Sequence, residues 1–219
     1  MEKEITTIRK NETWNLVDLL EGKNVIGLKW VFKTKYDTDC SVQKYKFKLV
    51  ARGYSQQQGI DFDETFSPIA HFEIVKTILA MAAQLKWKVY QFDIKSAFLN
   101  ANLEEKVYVN QLDGFVVKGA EEKVYKLNKE LYGFKQALRA WYNKVDSYFR
   151  KNGFERSKNE PTMYVKKCQH DLLIVCLYVD GMIYMGSSYS FICEFRSCMM
   201  TKIEMTDLGL LPYFLGIEV

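Results

Sequence analysis

One apolar stretch with a single carboxylate near its middle constrains the fold more than any other part of the chain. Residues 172–185 read LLIVCLYVDGMIYM. The pattern predicts a buried strand over Leu172–Leu177 and a returning strand over Met182–Tyr184, joined by the tetrapeptide YVDG. A carboxylate at such a tip is costly to bury unless a cation or hydrogen bonds compensate it. Asp180 is therefore either a ligand of a cation or, because Asp-Gly is a strong hairpin signal, only a turn residue.

Length and composition are those of a globular protein. The chain has 219 residues, of which 48% are hydrophobic and 26% charged, enough for one large domain or two small ones. No apolar run approaches the ~20 residues that span a bilayer, and the charged N-terminus MEKEITTIRKNE is not a secretory signal. We therefore expect a protein without a membrane association.

The residues that commonly build metal centres and triads are scarce. The five cysteines are an odd number without zinc spacing, which predicts reduced thiols in an intracellular protein. With only two histidines, a histidine-based metal centre or a Ser-His-Asp triad is poorly supported. His71 is expected to be structural.

Two extended runs carry cations on one face. Val25–Tyr36 and Val42–Arg52 are joined by residues 37–41, and cations alternate with apolar groups along both runs. This face either is solvated or binds phosphate, and the net charge of +4 is compatible with a polyanionic partner. The cations of this predicted face are Lys29, Lys33, Lys35, Lys44, Lys46, Lys48 and Arg52.

The remaining chain predicts helices and short strands. We expect a helix and a loop over residues 1–22, a solvated acidic loop at 61–64, and a helix that starts at Pro68. An aromatic stripe over residues 138–149 predicts a buried helix face, and a further amphipathic helix follows around residues 191–199. Residues 211–219 predict the start of a strand pair.

A second carboxylate, Asp93, stands at the end of a predicted strand over Lys88–Ile94 and precedes KSAFL. It is either a site residue or the N-cap of a short helix. Lys135, Gln136 and Arg139 lie at the start of the aromatic-striped helix, where free N–H groups favour an anion.

Seven sequence blocks resemble those of the reverse transcriptase of copia-type retrotransposons, and they occur in the same order as in that family. They read NETWNLVDL, GLKWVFKTK, KLVARGYSQQQGIDFDETFSPIA, FDIKSAFLNANLEEKVYV, KELYGFKQALRAWY, YVDG and YFLGIEV. The resemblance implies an α+β fold of the right-hand polymerase type, with fingers and palm and with an antiparallel palm sheet packed on helices. Residues 1–87 would be mainly fingers and 88–219 mainly palm with some fingers, and no thumb is recognised.

The resemblance also implies RNA-directed DNA polymerase chemistry, in which two Mg²⁺ ions assist nucleotidyl transfer from a dNTP to a primer 3′-hydroxyl. The implied partners are an RNA or DNA template–primer, dNTP and further polyprotein domains, in a cytoplasmic particle or the nucleus. The implied catalytic and metal-binding residues are Asp93 and Asp180, with the backbone carbonyl of Ile94. The implied nucleotide-binding residues are Lys35, Lys46, Lys48, Phe98 and Gln136, with Phe98 excluding the ribose 2′-hydroxyl. The implied template and primer contacts are Tyr132, Gly133, Lys135, Tyr178, Tyr213 and Gly216.

Several motif positions depart from the family pattern. The tip reads YVDG where the family has YVDD, so Gly181 removes the third acidic side chain. Leu138 replaces a proline, Cys40 a glycine, and Phe47 a small residue, while Leu112-Asp113 replaces Pro-Pro. We therefore expect an impaired polymerase. The alternatives are a non-catalytic remnant that binds nucleic acid and a fossil fragment without function.

Overall fold

The computed structural model describes residues 1–36, 41–214 and 217–218, the last two and Phe214 by their backbone alone. It divides into two compact units, each made of two separate stretches. Unit 1 comprises Met1–Phe66 and Phe98–Trp141, and unit 2 comprises Ser67–Ala97 and Tyr142–Val219. The predicted division at residues 87 and 88 concerns polymerase subdomains, which the units alone do not test.

Helices and strands alternate irregularly, as in a mixed α/β protein. The described helices are α1 (Glu2–Lys10), α2 (Phe72–Leu85), α3 (Ala137–Lys151) and α4 (Tyr189–Lys202). The first seven described strands are β1 (Trp14–Val17), β2 (Val25–Ile26), β3 (Leu28–Tyr36), β4 (Val42–Ala51), β5 (Val89–Ile94), β6 (Tyr108–Val109) and β7 (Val124–Leu127). The next seven are β8 (Glu155–Arg156), β9 (Met163–Cys168), β10 (Asp171–Tyr178), β11 (Gly181–Gly186), β12 (Met205–Leu210), β13 (Tyr213–Phe214) and β14 (Ile217–Glu218).

A four-stranded sheet organises unit 1 in the order β1-β7-β6-β2, with a parallel β2–β6 pair and antiparallel pairs elsewhere. The prediction of a loop after the first helix was wrong, because Trp14 belongs to β1. Trp14 pairs with Leu127 and stacks on Tyr125 with ring centroids 4.4 Å apart. Helix α1 places Ile5 and Ile8 in the same core. An apolar contact from β7 thus favours a strand where the local pattern predicts none.

The long hairpin of unit 1 confirms the predicted alternation. Strands β3 and β4 pair so that Lys33 lies opposite Lys46 and Lys35 opposite Lys44. Since directly opposite residues of an antiparallel pair share a face, the lysines line one side of this hairpin. The other side carries Phe32 opposite Phe47. Cys40 and the rest of residues 37–40 lie outside the described residues.

The predicted solvated loop at 61–64 is confirmed for Asp63 and Glu64, which are exposed, but it is wrong for Asp61, and the predicted start of the next helix is wrong as well. Asp61 is buried rather than solvated, and its Oδ2 accepts hydrogen bonds from the Gln57 N–H at 2.9 Å and Asn24 Nδ2 at 3.4 Å. Helix α2 begins at Phe72, with His71 as N-cap, and not at Pro68. A carboxylate can be buried when hydrogen-bond donors satisfy its oxygen atoms.

Unit 2 is a six-stranded antiparallel sheet in the order β12-β5-β11-β10-β9-β8. Alternation divides the apolar residues of the central strands between two faces. Ile183 packs with Val75 and Ile78 of α2 in one cluster. On the other face, Tyr184 stacks on Phe92 at 4.7 Å and meets Phe195 of α4 at 5.2 Å. The stretch LLIVCLYVDGMIYM is thus the centre of the sheet, as its continuous hydrophobicity predicts.

The N-cap interpretation of Asp93 was wrong. Strand β5 continues through Ile94, and only a 3-10 turn over Ala97–Asn100 follows. Strands β9 and β12 were not predicted. Among the helices that the structure describes, none is both long and apolar enough to cross a membrane.

Candidate functional site

The strand register of unit 2 brings Asp93 to the tip of the central hairpin. Tyr178 pairs with Gly181, so β10 and β11 are joined by only Val179 and Asp180. Gly181 pairs in turn with Asp93, and the Ile94 N–H donates to the Asp180 carbonyl oxygen at 2.8 Å. This bond pattern marks residues 93 and 181 as a non-hydrogen-bonded pair, whose Cα atoms lie about 4.5 Å apart. Asp93 and Asp180 therefore stand at one end of the sheet.

The two turn residues at the hairpin tip are not ones that favour a tight turn. Gly181 belongs to β11, so the turn dipeptide is Val-Asp and not Asp-Gly. Val179 has φ 51°. A β-branched residue with positive φ is a true conformational outlier, and such strain costs of order 1–3 kcal/mol. A glycine at position 179 would relieve it, so this geometry points to a constraint other than turn formation.

Two carboxylates suit one divalent cation better than two. Asp93 is exposed and is flanked by Gly181 on one side and Thr206 on the other. Within the described residues, no group of three or more His, Cys, Asp and Glu side chains is arranged to hold a metal. Mg²⁺ is commonly held by one or two carboxylates together with substrate phosphates. Asp93 and Asp180 are donors of the chemical type that such an ion takes.

A polar network supports the strands that carry Asp93. Arg196 of α4 forms an ion pair with Asp207 of β12 at 3.0 Å, and its Nε donates to the Tyr184 hydroxyl at 3.2 Å. Burial raises the pKa of Tyr184 to about 12, so its hydroxyl stays protonated. Asp207 pairs with Phe92, the residue before Asp93. The network thus ties β12, which sequence reasoning missed, to β11.

The lysine face of unit 1 concentrates positive charge. Lys33 and Lys46 stand directly opposite one another, an arrangement that destabilises a strand pair unless an anion is near. Within residues 1–36 and 41–214, neither Lys33, Lys44 nor Lys46 forms an ion pair. This face is suited to bind a polyanion.

Lys48 makes a different contact from the other lysines. Its Nζ lies 3.6 Å from the centroid of the Tyr132 ring, and Tyr132 in turn meets the half-buried ring of Phe98 at 4.6 Å. A desolvated cation–π contact contributes up to about 2 kcal/mol. Three predicted site residues, Lys48, Tyr132 and Phe98, therefore form one contiguous cluster, in which the two rings meet edge to face.

Two glycines let the Tyr132 backbone approach β4. The Ala51 N–H donates to the Tyr132 carbonyl at 2.7 Å. Gly133 has φ 96°, and a Cβ there would overlap the Ala51 carbonyl oxygen. A Cβ at Gly53 would overlap the Gly133 carbonyl oxygen. Only glycine permits this close approach, which holds Tyr132 beside Lys48.

Lys135 and Gln136 are held by Gln56. The Gln56 Oε1 accepts from the Lys135 N–H at 2.9 Å, and its Nε2 donates to Gln136 Oε1 at 3.0 Å. Lys135 Nζ donates to the Gln56 carbonyl at 3.3 Å. Gln136 is only 3% exposed, and its Nε2 has no partner among the described residues. No local signal in the run SQQQ marks Gln56 for this role.

The other predicted contact residues are not part of this hydrogen-bonded group around Gln56. Tyr178 ends β10 and is half-buried, whereas Tyr213 opens β13 and is 61% exposed. Lys35 is exposed on the lysine face. Gly216 lies outside the described residues. The roles of all these residues in binding template, primer or nucleotide stay predictions.

Comparison with known proteins defines the class. A family model described as "Reverse transcriptase (RNA-dependent DNA polymerase)" matches residues 11–219. The chain therefore belongs to this reverse transcriptase family, in agreement with the resemblance of its seven blocks.

Individual relatives place it among the copia-type members. The chain is similar to the "Retrovirus-related Pol polyprotein from transposon TNT 1-94" of Nicotiana tabacum, with 41% identity over all of this chain and 17% of the relative. It is 35% identical to the Pol polyprotein from transposon RE1 of Arabidopsis thaliana, over 100% of this chain and 15% of the relative. The Ty1-LR2 Gag-Pol polyprotein of Saccharomyces cerevisiae is 28% identical over 83% of this chain and 10% of its own length. The chain thus spans less than a fifth of these polyproteins.

Proposed function

We propose that this chain is the fingers and palm portion of an RNA-directed DNA polymerase, in which it binds template–primer and dNTP. Unit 2 corresponds to the palm and unit 1 to the fingers. The observation that carries the proposal is the register that sets Asp93 beside the two-residue turn containing Asp180. Neither the turn type nor the strained Val179 is explained by hairpin stability.

The proposed chemistry assigns separate tasks to the residues of unit 2. Asp93, Asp180 and the Ile94 carbonyl would hold divalent metal, expected to be Mg²⁺. When bound, such metal activates a primer hydroxyl and neutralises the departing pyrophosphate. The Arg196–Asp207–Tyr184 network joins β12 to β11, the two neighbours of β5, and so holds the strand that carries Asp93 between them.

Unit 1 supplies the proposed contacts to nucleotide and template. The lysine face, including Lys35 and Lys46, attracts the triphosphate and the nucleic-acid backbone. Phe98, held by Tyr132, stands as a steric gate against a ribose 2′-hydroxyl. Gln136 is proposed to contribute to the nucleotide site through the backbone it anchors, because its side chain is buried against Gln56.

A second candidate function is favoured by Gly181. The position opposite Asp93 carries no carboxylate, so less negative charge is available to hold two divalent ions beside a triphosphate. The chain would then bind nucleic acid through the lysine face and extend primers poorly or not at all. Both candidates share the binding function, and they differ in turnover.

Binding is tested by measuring the affinity of the chain for a labelled primer–template across a salt series. Lys33→Glu/Lys46→Glu reverses two directly opposite charges and avoids Lys48, whose contact with Tyr132 would confuse the result. Each phosphate contact contributes about −0.9 to the slope of log K against log salt. The magnitude of the slope should therefore decrease by about 1 to 2 in this variant.

The matched control is Lys118→Glu/Lys202→Glu, which changes two exposed lysines that do not belong to the hairpin. Both doubles change the formal net charge from +4 to 0, since each Lys→Glu change subtracts two charges. Equal slopes for the two doubles would mean that the lysine face is only a solvated surface.

A further inference from the structure

A buried carboxyl group of unit 1 belongs to Glu130, whose backbone is bonded to the segment that follows Phe98. Glu130 is 1% exposed, and its Oε2 has no hydrogen-bond partner among the described residues. An unpaired carboxylate in such a place carries the full cost of desolvation, whereas the protonated acid is neutral. Sequence reasoning assigned Glu130 no role.

Glu130 belongs to a short pairing of two segments. The Leu103 N–H donates to the Asn128 carbonyl at 3.0 Å, and the Glu130 N–H donates to the Ala101 carbonyl at 3.1 Å. An isolated antiparallel bridge joins Asn102 and Lys129 between them. The two segments, 101–103 and 128–130, therefore hold each other in place.

The two rings stand next to these segments in the sequence, because Phe98 precedes segment 101–103 and Tyr132 follows segment 128–130. The Ala101 N–H donates to the Phe98 carbonyl at 2.9 Å, which closes the turn that bears Phe98. Tyr132 follows Glu130 by two residues, and its ring lies 4.6 Å from that of Phe98. A change at Glu130 that separated the segments would therefore move one ring relative to the other.

We propose that Glu130, in its uncharged form, is a positioning residue that keeps segments 101–103 and 128–130 paired and so sets the Phe98–Tyr132 ring pair. Ionisation would draw water to the carboxylate and loosen the pairing. The consequence for nucleotide selection rests on the proposed function, whereas the geometry of the rings does not.

The electrostatic setting agrees with an uncharged acid near neutral pH. Burial first, and the nearby anion Glu105 second, raise the pKa of Glu130 to about 8. Glu105 is half-buried on the segment that leads from Leu103 to β6. Above this pKa, the folded chain must hold a buried charge beside another anion.

The test follows the Phe98 ring resonances of the 219-residue chain between about pH 6 and pH 9, below the range in which tyrosine ionises. The signals are assigned by their loss in Phe98→Leu. In the wild-type chain they should shift with a midpoint near 8. Glu130→Gln, which is uncharged and of similar shape, should remove the shift. Glu105→Gln should move the midpoint below that of the wild type.

The Phe92 ring in unit 2 is the internal control for global unfolding, because it lies in the other compact unit. Wild-type Phe98 signals that stay constant over this range, or a shift that persists in Glu130→Gln, would overturn the proposal. If Glu130→Gln fails to fold, an unchanged midpoint in Glu105→Gln has the same consequence. None of these readings depends on nucleotide binding, so they are independent of the proposed polymerase function.

Discussion

Restoring a carboxylate opposite Asp93 should make the stability of the chain depend on divalent cations. Gly181 is not in a left-handed conformation, and a Cβ there would meet only the Tyr178 carbonyl at 3.4 Å and the Phe92 carbonyl at 3.8 Å. These are ordinary van der Waals distances, so Gly181→Asp fits without rearrangement. The register then sets its side chain directly across from Asp93.

The magnitude follows from this geometry. Two carboxylates about 5 Å apart repel by about 1 kcal/mol in water and about 3 kcal/mol at an effective dielectric constant near 20. Asp93 is exposed, which favours the lower part of this range. We expect Gly181→Asp to lower the free energy of unfolding by about 1–2 kcal/mol without divalent cation, equivalent to roughly 2–8 °C in Tm for a chain of this size. A cation present at about 100 times its Kd would return about 2.7 kcal/mol.

Thermal unfolding with and without Mg²⁺ or Mn²⁺ measures this effect. Gly181→Asn is the matched control, because it has nearly the same shape and no charge. Gly181→Asp/Asp93→Asn should lose most of the cation response. If Gly181→Asp responds to cations no more than Gly181→Asn does, then residue 181 and Asp93 do not share a site and the register argument fails. In a chimera with a donated thumb, the same substitution should raise primer extension above the low level expected of the native chain.

Two further changes test unit 1. Phe98→Ala, in an extension-competent chimera, should admit ribonucleotides about 10- to 200-fold more readily, since discrimination by a steric contact is of this size. Phe98→Tyr should keep the discrimination, and unchanged selectivity in Phe98→Ala would assign Phe98 to the core alone. Gly133→Ala should destabilise the chain by about 2–4 kcal/mol in denaturant unfolding, because it combines a positive φ with overlap against β4. Gly119→Ala is its control, since position 119 also has a positive φ but open space around it, and it should cost only about 1 kcal/mol; equal losses would show that β4 yields to the new side chain.

The sequence alone determined features that depend on neighbours along the chain. Alternating residues predicted the lysine face and the apolar face of β3–β4, and the pairing of Lys33 with Lys46 confirmed it. The continuous apolar run around Asp180 predicted a fully buried hairpin. The seven blocks identified the family without any structure. These signals are local because strand alternation and helical spacing are set within a few residues.

Tertiary structure decided what depends on contacts between distant residues. Gln56 binds Gln136 across 80 positions, and no local pattern selects that partner. Asp61 is buried because Asn24, 37 residues away, completes its hydrogen bonds. Strand β12 forms from a segment containing Asp207 and Gly209, residues that disfavour strands, since β5 offers it a paired edge.

Contacts between distant residues also decide the geometry of the candidate site. The sequence shows two aspartates and a missing third acid, but only the register between β5 and β11 places Gly181, rather than Asp180, directly opposite Asp93. Likewise, a glutamate before Leu131 is unremarkable in the sequence and becomes a buried acid only when two segments close over it. The side chains present determine which chemistry is available. Long-range packing sets the burial and pairing of each ionisable group, and these decide whether the group can be charged in the folded chain.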